Sequence, residues 1–308
     1  MTRRGRHGIQ EDTLSQPGDA ATRRRRSWVA SVSYRRARPF VGPSWYGWGV
    51  LPDTRPQPHP ANAPDGVTAL PSGPDADDAL AALYAWSQPA RAGGTVVRAN
   101  MIASLDGGAT VAGRSAGLGN PADEHLFGLL RDMADVILVG SGTVRAERYG
   151  GIRLDATRRA RRLRWGLSAE PPPIAVVTVR GLDPNLPLFT DTETPPIVIT
   201  TEQGAGAVPS NARTISAGHD RVNFADAIGV LGSQGFRRVH CEGGPGLLGS
   251  LVAADLLDEC FLTIAPLLLG SESQPMLAVR LDDPARWRLA GARVDGDHLF
   301  TRYRRTHG

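Results

Sequence analysis

Three short stretches place carboxylates and glycines where a sheet protein could bind a ligand and act on it. In residues 95–119, TVVRANMIASLDGGATVAGRSAGLG, an apolar run ends in Ser104-Leu105-Asp106-Gly107-Gly108. Val96, Val97, Ala99, Met101, Ile102, Ala103 and Leu105 read as a strand buried on both faces. Ligand crevices of open α/β sheets lie at the carboxyl ends of strands. Asp106 has that address, and a carboxyl there can donate or relay a proton. The same position also suits a plain Asx turn cap. The other two stretches are glycine turns that follow strands and open helices, VGSGTVRAE at 139–147 and CEGGPGLLG at 241–249. Glycine lets backbone N–H groups approach a phosphate, and the helix behind adds partial positive charge. Glu147 and Glu242 supply the further carboxylates near these turns. The pattern Gly244-x-Gly246-x-x-Gly249 sits late in the chain, so a standard Rossmann domain is not indicated. Two such turns plus an acid at a third strand end favour a nucleotide site.

Other chemistries lose ground. All 35 basic residues are arginine, which excludes a Schiff-base lysine, a P-loop lysine and a lysine nucleophile. No G-x-S-x-G elbow occurs. No His, Cys and Asp cluster has metal spacing, so no metal is expected. His125 falls in a helix as a surface or interface residue, and His240 falls in a strand as a satisfied core histidine. Cys241 and Cys260 lie in or beside apolar runs without metal spacing, which fits a reduced, cytoplasmic protein. No apolar run reaches transmembrane length, so no membrane partner is expected.

The elements that position these residues can be taken in order. Residues 1–62 are first Arg-rich, then aromatic at Trp45, Tyr46 and Trp48, then Pro-rich; they read as a disordered tail, and residues 63–308 as the folded domain. Ten arginines against three acids give residues 1–40 a local charge of +7, leaving −3 for the rest. Nucleic-acid binding is therefore not expected of the body, and an RNA-binding arm would have to be the tail. Helices are expected at 75–86, 121–132, 143–147, 224–232 and 247–256, and an arginine-dense one with a solvated face at 155–165. Strands are expected at 135–139, 174–179, 197–200, 238–241 and 259–264, with a closing hairpin over 287–303 that turns near Asp295-Gly296-Asp297. Strands alternating with helices predict an α/β fold. Its sheet is mixed but mostly parallel, with helices on both faces and a C-terminal antiparallel hairpin supplying edge strands.

SLDGG at 104–108, DVILVGSGTVRAE at 135–147, EGGPGLLGSLVAADLLDE at 242–259 and LTIAPLLLG at 262–270 occur in this order. As a set they resemble the pyrimidine reductase of riboflavin biosynthesis, over about residues 67–304. The resemblance implies a dihydrofolate reductase-like fold and NADPH as cofactor. It implies reduction of the ribosyl moiety of 5-amino-6-(5-phosphoribosylamino)uracil to the ribityl chain, with a small-molecule substrate and a homodimer. Residues 1–66 hold neither the histidine-x-glutamate nor the Cys-x-x-Cys of the deaminase that bifunctional members add. By position, Gly140, Ser141, Gly142 and Thr143 are expected on the cofactor, as are Glu242, Gly243, Gly244 and Pro245. Thr178 and Arg180 are expected at its adenosine end, Arg180 as the guanidinium for a 2′-phosphate. Asn100, Ser104 and Arg153 are expected on the substrate. Asp106 is the expected proton source, its pKa raised by burial, and Glu147 is the rival. Where the family commonly has lysine after Ser-Leu-Asp-Gly this chain has Gly108, and Tyr149 replaces a proline after Glu147. Two other readings stay open: a dihydrofolate or pterin reductase on the same scaffold, and a non-catalytic nucleotide-binding protein.

Overall fold

The structure is a computed structural model that describes residues 67–73, 75–89 and 94–306. The tail expected at 1–62 lies outside the described residues. The strands are β1 (Thr68–Ala69), β2 (Val96–Ser104), β3 (Val136–Gly140), β4 (Ile174–Val177), β5 (Ile197–Thr200), β6 (Arg213–Ser216), β7 (Arg238–Cys241), β8 (Glu259–Ala265), β9 (Trp287–Asp295) and β10 (His298–Arg305). The helices are α1 (Ala76–Leu83), α2 (Pro121–Asp132), α3 (Ser141–Glu147), α4 (Ala156–Arg164), α5 (Pro187–Thr190), α6 (Phe224–Ser233) and α7 (Pro245–Ala253).

One sheet runs in the order β1-β9-β10-β8-β2-β7-β3-β4-β5-β6. From β8 to β6 every pairing is parallel, and β10 is antiparallel to both β8 and β9. The mixed, mostly parallel sheet with its C-terminal hairpin is the expected architecture. The hairpin is not simply an edge, however. β10 lies inside the sheet against β8, and β1 pairs alongside β9. β2, β7 and β3 are neighbours at the centre, so their carboxyl ends open together.

Local sequence explains the helices that border that end. Asn120 caps α2 by accepting from the Asp123 amide at 2.9 Å, Pro121 occupies its first turn, and acids follow there. Asn223 caps α6 in the same way. One face of the sheet packs Val97, Ala99, Leu138 and Ile197 against Leu231 of α6 and Leu247, Leu248 and Leu251 of α7. The other face packs Phe261 and Phe300 against Leu80 of α1 and Leu126, Leu129 and Leu130 of α2. α3 and α5 cover β3 to β5 through Val144, Leu188 and Phe189.

The arginine-dense helix α4 corrects an expectation. Its arginines do not simply face solvent: Arg162 is 2% exposed and Arg161 8%. Arg162 donates to the carbonyls of Asp132, Ala134 and Ser168. Asp132, with no exposed surface, takes Arg158 at 2.6 Å and Arg161 at 2.5 Å. A buried carboxylate between two guanidiniums holds α4 against the end of α2. Removing it deprives Arg158 of its carboxylate and leaves the nearly buried Arg161 with Asp77 alone. Asp132→Ala should therefore lower unfolding stability by about 3–5 kcal/mol in a urea titration; a change under about 1 kcal/mol would mean the pair is no more than a surface ion pair.

Candidate active site

Two connected chambers open at the carboxyl ends of β2, β3 and β7. The larger, a cavity of about 850 Å³, is lined by Gly140, Ser141, Gly142 and Thr143, by Gly244, Pro245, Gly246 and Leu247, and by Val177, Val179 and Arg221. The smaller, about 320 Å³, is lined by Asn100, Met101, Ile102, Asp123, Glu124, Phe127, Arg131, Tyr149 and Glu242. Thr110, Thr143, Glu147, Gly244 and Pro245 belong to both. A separate open groove of about 490 Å³ involves Asp135, Arg162 and Arg213 at the amino ends of β3 and β6. It holds none of the expected site residues.

The wall of the larger chamber is made by two backbone turns in contact. The Gly140 N–H donates to the Gly243 carbonyl at 2.8 Å. Gly243 has φ +79 and so needs glycine, and a Cβ on Gly244 would stand 2.7 Å from Thr143 Oγ1 and turn that side chain aside. The amino ends of α3 and α7 thus come side by side. Their first-turn N–H groups have no intrahelical acceptor and suit an anionic ligand. Arg221 is set by a tight turn after β6, in which Gly218 has φ +85 and the Asn223 N–H donates to the Ala217 carbonyl at 3.0 Å.

The smaller chamber is built on α2. Asp123, Phe127 and Arg131 recur every fourth residue and so share one face. Arg131 makes a two-pronged bond to Glu242, 2.6 Å to Oε1 and 2.7 Å to Oε2, and Tyr149 donates its hydroxyl to Oε2 at 2.7 Å. The Arg131 guanidinium also lies 4.3 Å from the Phe127 ring centre. Burial opposes its charge, but the Glu242 carboxylate outweighs this and raises its pKa. Burial, and then the Glu242 charge, push the Tyr149 phenol well above its usual 10.0. Burial also raises the Asp123 carboxyl, against a smaller opposing bond from Thr263. Asn100 Oδ1 is buried and has no hydrogen-bond partner among the described residues.

Expected site residues divide into those the fold brings together and those it does not. Gly140, Ser141, Gly142, Thr143, Gly244 and Pro245 line the larger chamber, and Gly243 supports it from behind. Asn100 lines the smaller chamber, and Glu147 stands at the junction, accepting from the Ser115 amide at 2.8 Å. Glu242 faces the smaller chamber rather than the larger.

The rest are elsewhere. Asp106 is exposed and lines neither chamber. Its carboxylate accepts from Ser104 Oγ at 2.5 Å and from the Gly270 and Leu269 amides at 2.7 and 3.1 Å. Those bonds, Ser104 first, hold its pKa down at about 2, the reverse of the expected shift. Ser104 is buried in the same turn, bonded to Gly108 and Asp106. Arg153 is exposed and paired with Asp191 and Glu193. Thr178 turns its hydroxyl to the Gly181 carbonyl at 3.0 Å, and Arg180 is an exposed residue outside both chambers. His240 is buried as expected, but its Nε2 has no partner among the described residues; burial, then the nearby arginines Arg98 and Arg131, keep it neutral. Tyr149 stands at a position the resemblance placed toward the substrate, whereas Arg131, Phe127, Asp123 and Arg221 were not expected as site residues. The repeat at 123, 127 and 131 beside the apolar stripe of α2 was the available signal for three of them.

A parallel sheet with a glycine-walled chamber opening on a polar and aromatic one defines a nucleotide-dependent enzyme of small molecules. The chain belongs to the RibD C-terminal domain family, whose model matches residues 95–301. It is 30% identical over 182 residues to the 2,5-diamino-6-ribosylamino-4(3H)-pyrimidinone 5′-phosphate reductase of Archaeoglobus fulgidus, spanning 57% of this chain and 82% of that protein. Its fold is shared with a pyrimidine reductase-like protein of Corynebacterium diphtheriae, at TM-score 0.62 and 23% identity, over 74% of this chain and 99% of that one. The riboflavin biosynthesis reductase of Saccharomyces cerevisiae aligns at TM-score 0.54 and 19% identity, over 71% of this chain and 93% of that one. The named relatives are reductases, and the chain is an oxidoreductase of this family.

The Asp106 latch has a definite pH signature. A carboxyl with a lowered folded pKa contributes stability above its unfolded value of about 4, lost as pH falls through the folded value. In a carbon-detected NMR titration the Asp106 carboxyl should change near pH 2, at the value of about 2 given by its bonds. A midpoint near the ordinary value of about 4 would show that the latch to Leu269 and Gly270 does not form.

Proposed function

We propose that this chain is an NADPH-dependent reductase of a ribosylaminopyrimidine 5′-phosphate, turning the ribosyl group into the ribityl chain. The observation that carries the reading is the junction at Thr143, Glu147 and Gly244, where the glycine-walled chamber meets the one lined by Phe127, Tyr149 and Asn100. The cofactor fits the first chamber. Ser141 to Thr143 and Gly244 to Gly246 present two helix amino ends for a diphosphate, and Arg221 supplies a guanidinium for a 2′-phosphate. A Cβ on Gly142 or Gly246 would meet no protein atom within 4 Å, which leaves those stretches of wall open to a ligand.

When bound, the nicotinamide supplies the hydride. The ring-opened imine of the ribosylamine also needs a proton at nitrogen. Glu147 stands where the chambers meet, its Oε1 held by the Ser115 amide and hydroxyl, so it is the carboxylate placed to relay that proton through water. Arg131, Glu242 and Tyr149 form a fixed wall that orients the ring and keeps water from the far side. The reading includes a cytoplasmic homodimer, supported by the exposed Leu268 (74%) and Leu289 (52%) on the antiparallel side of the sheet.

Mixing the protein with NADPH and a ribosylaminopyrimidine 5′-phosphate should consume NADPH and yield a product heavier by two hydrogens; no turnover with any such substrate would end the proposal. Two substitutions sharpen it. Glu147→Gln should lower kcat roughly 10²–10⁴-fold, while Asp106→Asn should stay near wild type; the reverse order would restore Asp106 as the acid. Arg221→Ala should weaken NADPH by roughly 10–100-fold and leave NADH nearly unchanged, whereas Arg180→Ala should affect neither. Equal losses for both cofactors would point to misfolding.

A further inference from the structure

Between β2 and α2 the chain runs past the junction of the two chambers as a short strap. Thr110 lines both chambers, Gly113 the larger, and Ala109, Ser115 and Ala116 the smaller. The strap folds on itself. Val111 and Arg114 exchange backbone bonds of 2.7 and 3.1 Å around Ala112 and Gly113, which have φ +50 and +80, as in a two-residue hairpin turn. Its base is fastened to the loop after β8: Ser273 Oγ accepts from the Thr110 amide at 3.2 Å and donates to the Thr110 carbonyl at 2.8 Å. Its far end grips the last turn of α3. Arg114 Nε donates to the Ala146 carbonyl at 3.2 Å. Ser115 donates twice to one oxygen, Glu147 Oε1, from its amide at 2.8 Å and from its hydroxyl at 3.1 Å.

Glu147 is the last residue of α3, and Arg148 behind it is left-handed at φ +53, so no further helical turn packs on its side chain. Its carboxylate would otherwise turn about three side-chain torsions. Resting on the role given to Glu147 above, we infer that Ser115 is a positioning residue of the reduction, holding that carboxylate at the meeting point of the chambers. Two donors converging on one oxygen fix both the place and the tilt of the carboxylate, which one donor alone would not. In the step itself hydride passes from NADPH to the ribosyl carbon. The proton passes from Glu147 through water to the imine nitrogen, and NADPH leaves as NADP⁺. Ser115 keeps its own hydroxyl proton throughout and acts only through Glu147. A small displacement of such a group is costly, because proton transfer demands close geometry.

The test is a double-mutant cycle on the full chain with Ser115→Ala, Glu147→Gln and the pair, assayed with saturating NADPH and the ribosylaminopyrimidine 5′-phosphate. Ser115→Ala keeps the amide bond to Glu147, the Arg114 bond and the Ser273 fastening, so the strap stays in place. It should lower kcat roughly tenfold, the scale of one hydrogen bond to a charged group, with KM for the pyrimidine and calorimetric affinity for NADP⁺ within about twofold of wild type. Ser115→Thr retains the hydroxyl and should restore kcat to within about threefold. In the Glu147→Gln background Ser115→Ala should cost less than about twofold, because the group it positions no longer carries the proton. An unchanged kcat in Ser115→Ala, or a tenfold loss that persists beside Glu147→Gln, would overturn the inference while leaving the role of Glu147 standing. Turnover near wild type in Glu147→Gln would instead remove Glu147 as the acid, and this inference with it.

Discussion

The site depends on how closely two turns can approach. β3 and β7 are adjacent parallel strands, and each ends in glycines that touch through the bond from the Gly140 N–H to the Gly243 carbonyl, 2.8 Å. Gly243, at φ +79, is the position in this contact that needs glycine, while a Cβ on Gly244 would meet only the Thr143 hydroxyl, at 2.7 Å. With the turns together, α3 and α7 start side by side and aim their unpaired N–H groups into one space. A chamber suited to a dinucleotide diphosphate is thus a product of backbone packing. A wall of that kind needs no lysine, and this chain has none.

The second chamber obeys a different constraint. A buried Glu242 would be costly alone, yet Arg131 and Tyr149 satisfy it with three bonds of 2.6–2.7 Å. Half of such a network is worse than none, so its members act as one rigid wall. Neutralising Arg131 in this way strips the chamber of free positive charge.

Much of the frame was legible in the sequence. Asn120-Pro121 marks the start of α2, and the apolar runs mark β2, β3, β5 and β7, because caps and burial patterns are local signals. Both glycine turns were legible for the same reason. Three things were not. β6 is short and mostly exposed, so nothing announced the turn that carries Arg221 into the chamber. The arginines of α4 look like a solvated face until Asp132, distant in sequence, supplies their partner. Asp106 has the right address at the end of the central strand, but the loop after β8 supplies amides that turn its carboxylate away from the cleft. In the last two cases the deciding partner comes from elsewhere in the chain. Strand ends show where a site opens but not which way a side chain points.

The central claim is that cofactor and pyrimidine occupy the two chambers in this arrangement. Backbone amide NMR of the full chain, titrated first with NADP⁺ and then with the pyrimidine phosphate, tests it most directly. The account predicts that NADP⁺ moves the amides of residues 140–143, 244, 246, 247 and 221, and that the pyrimidine then moves those of 100, 123, 131 and 149. Shifts centred on residues 104–108 and 267–270, or on the groove at Asp135 and Arg213, would contradict it.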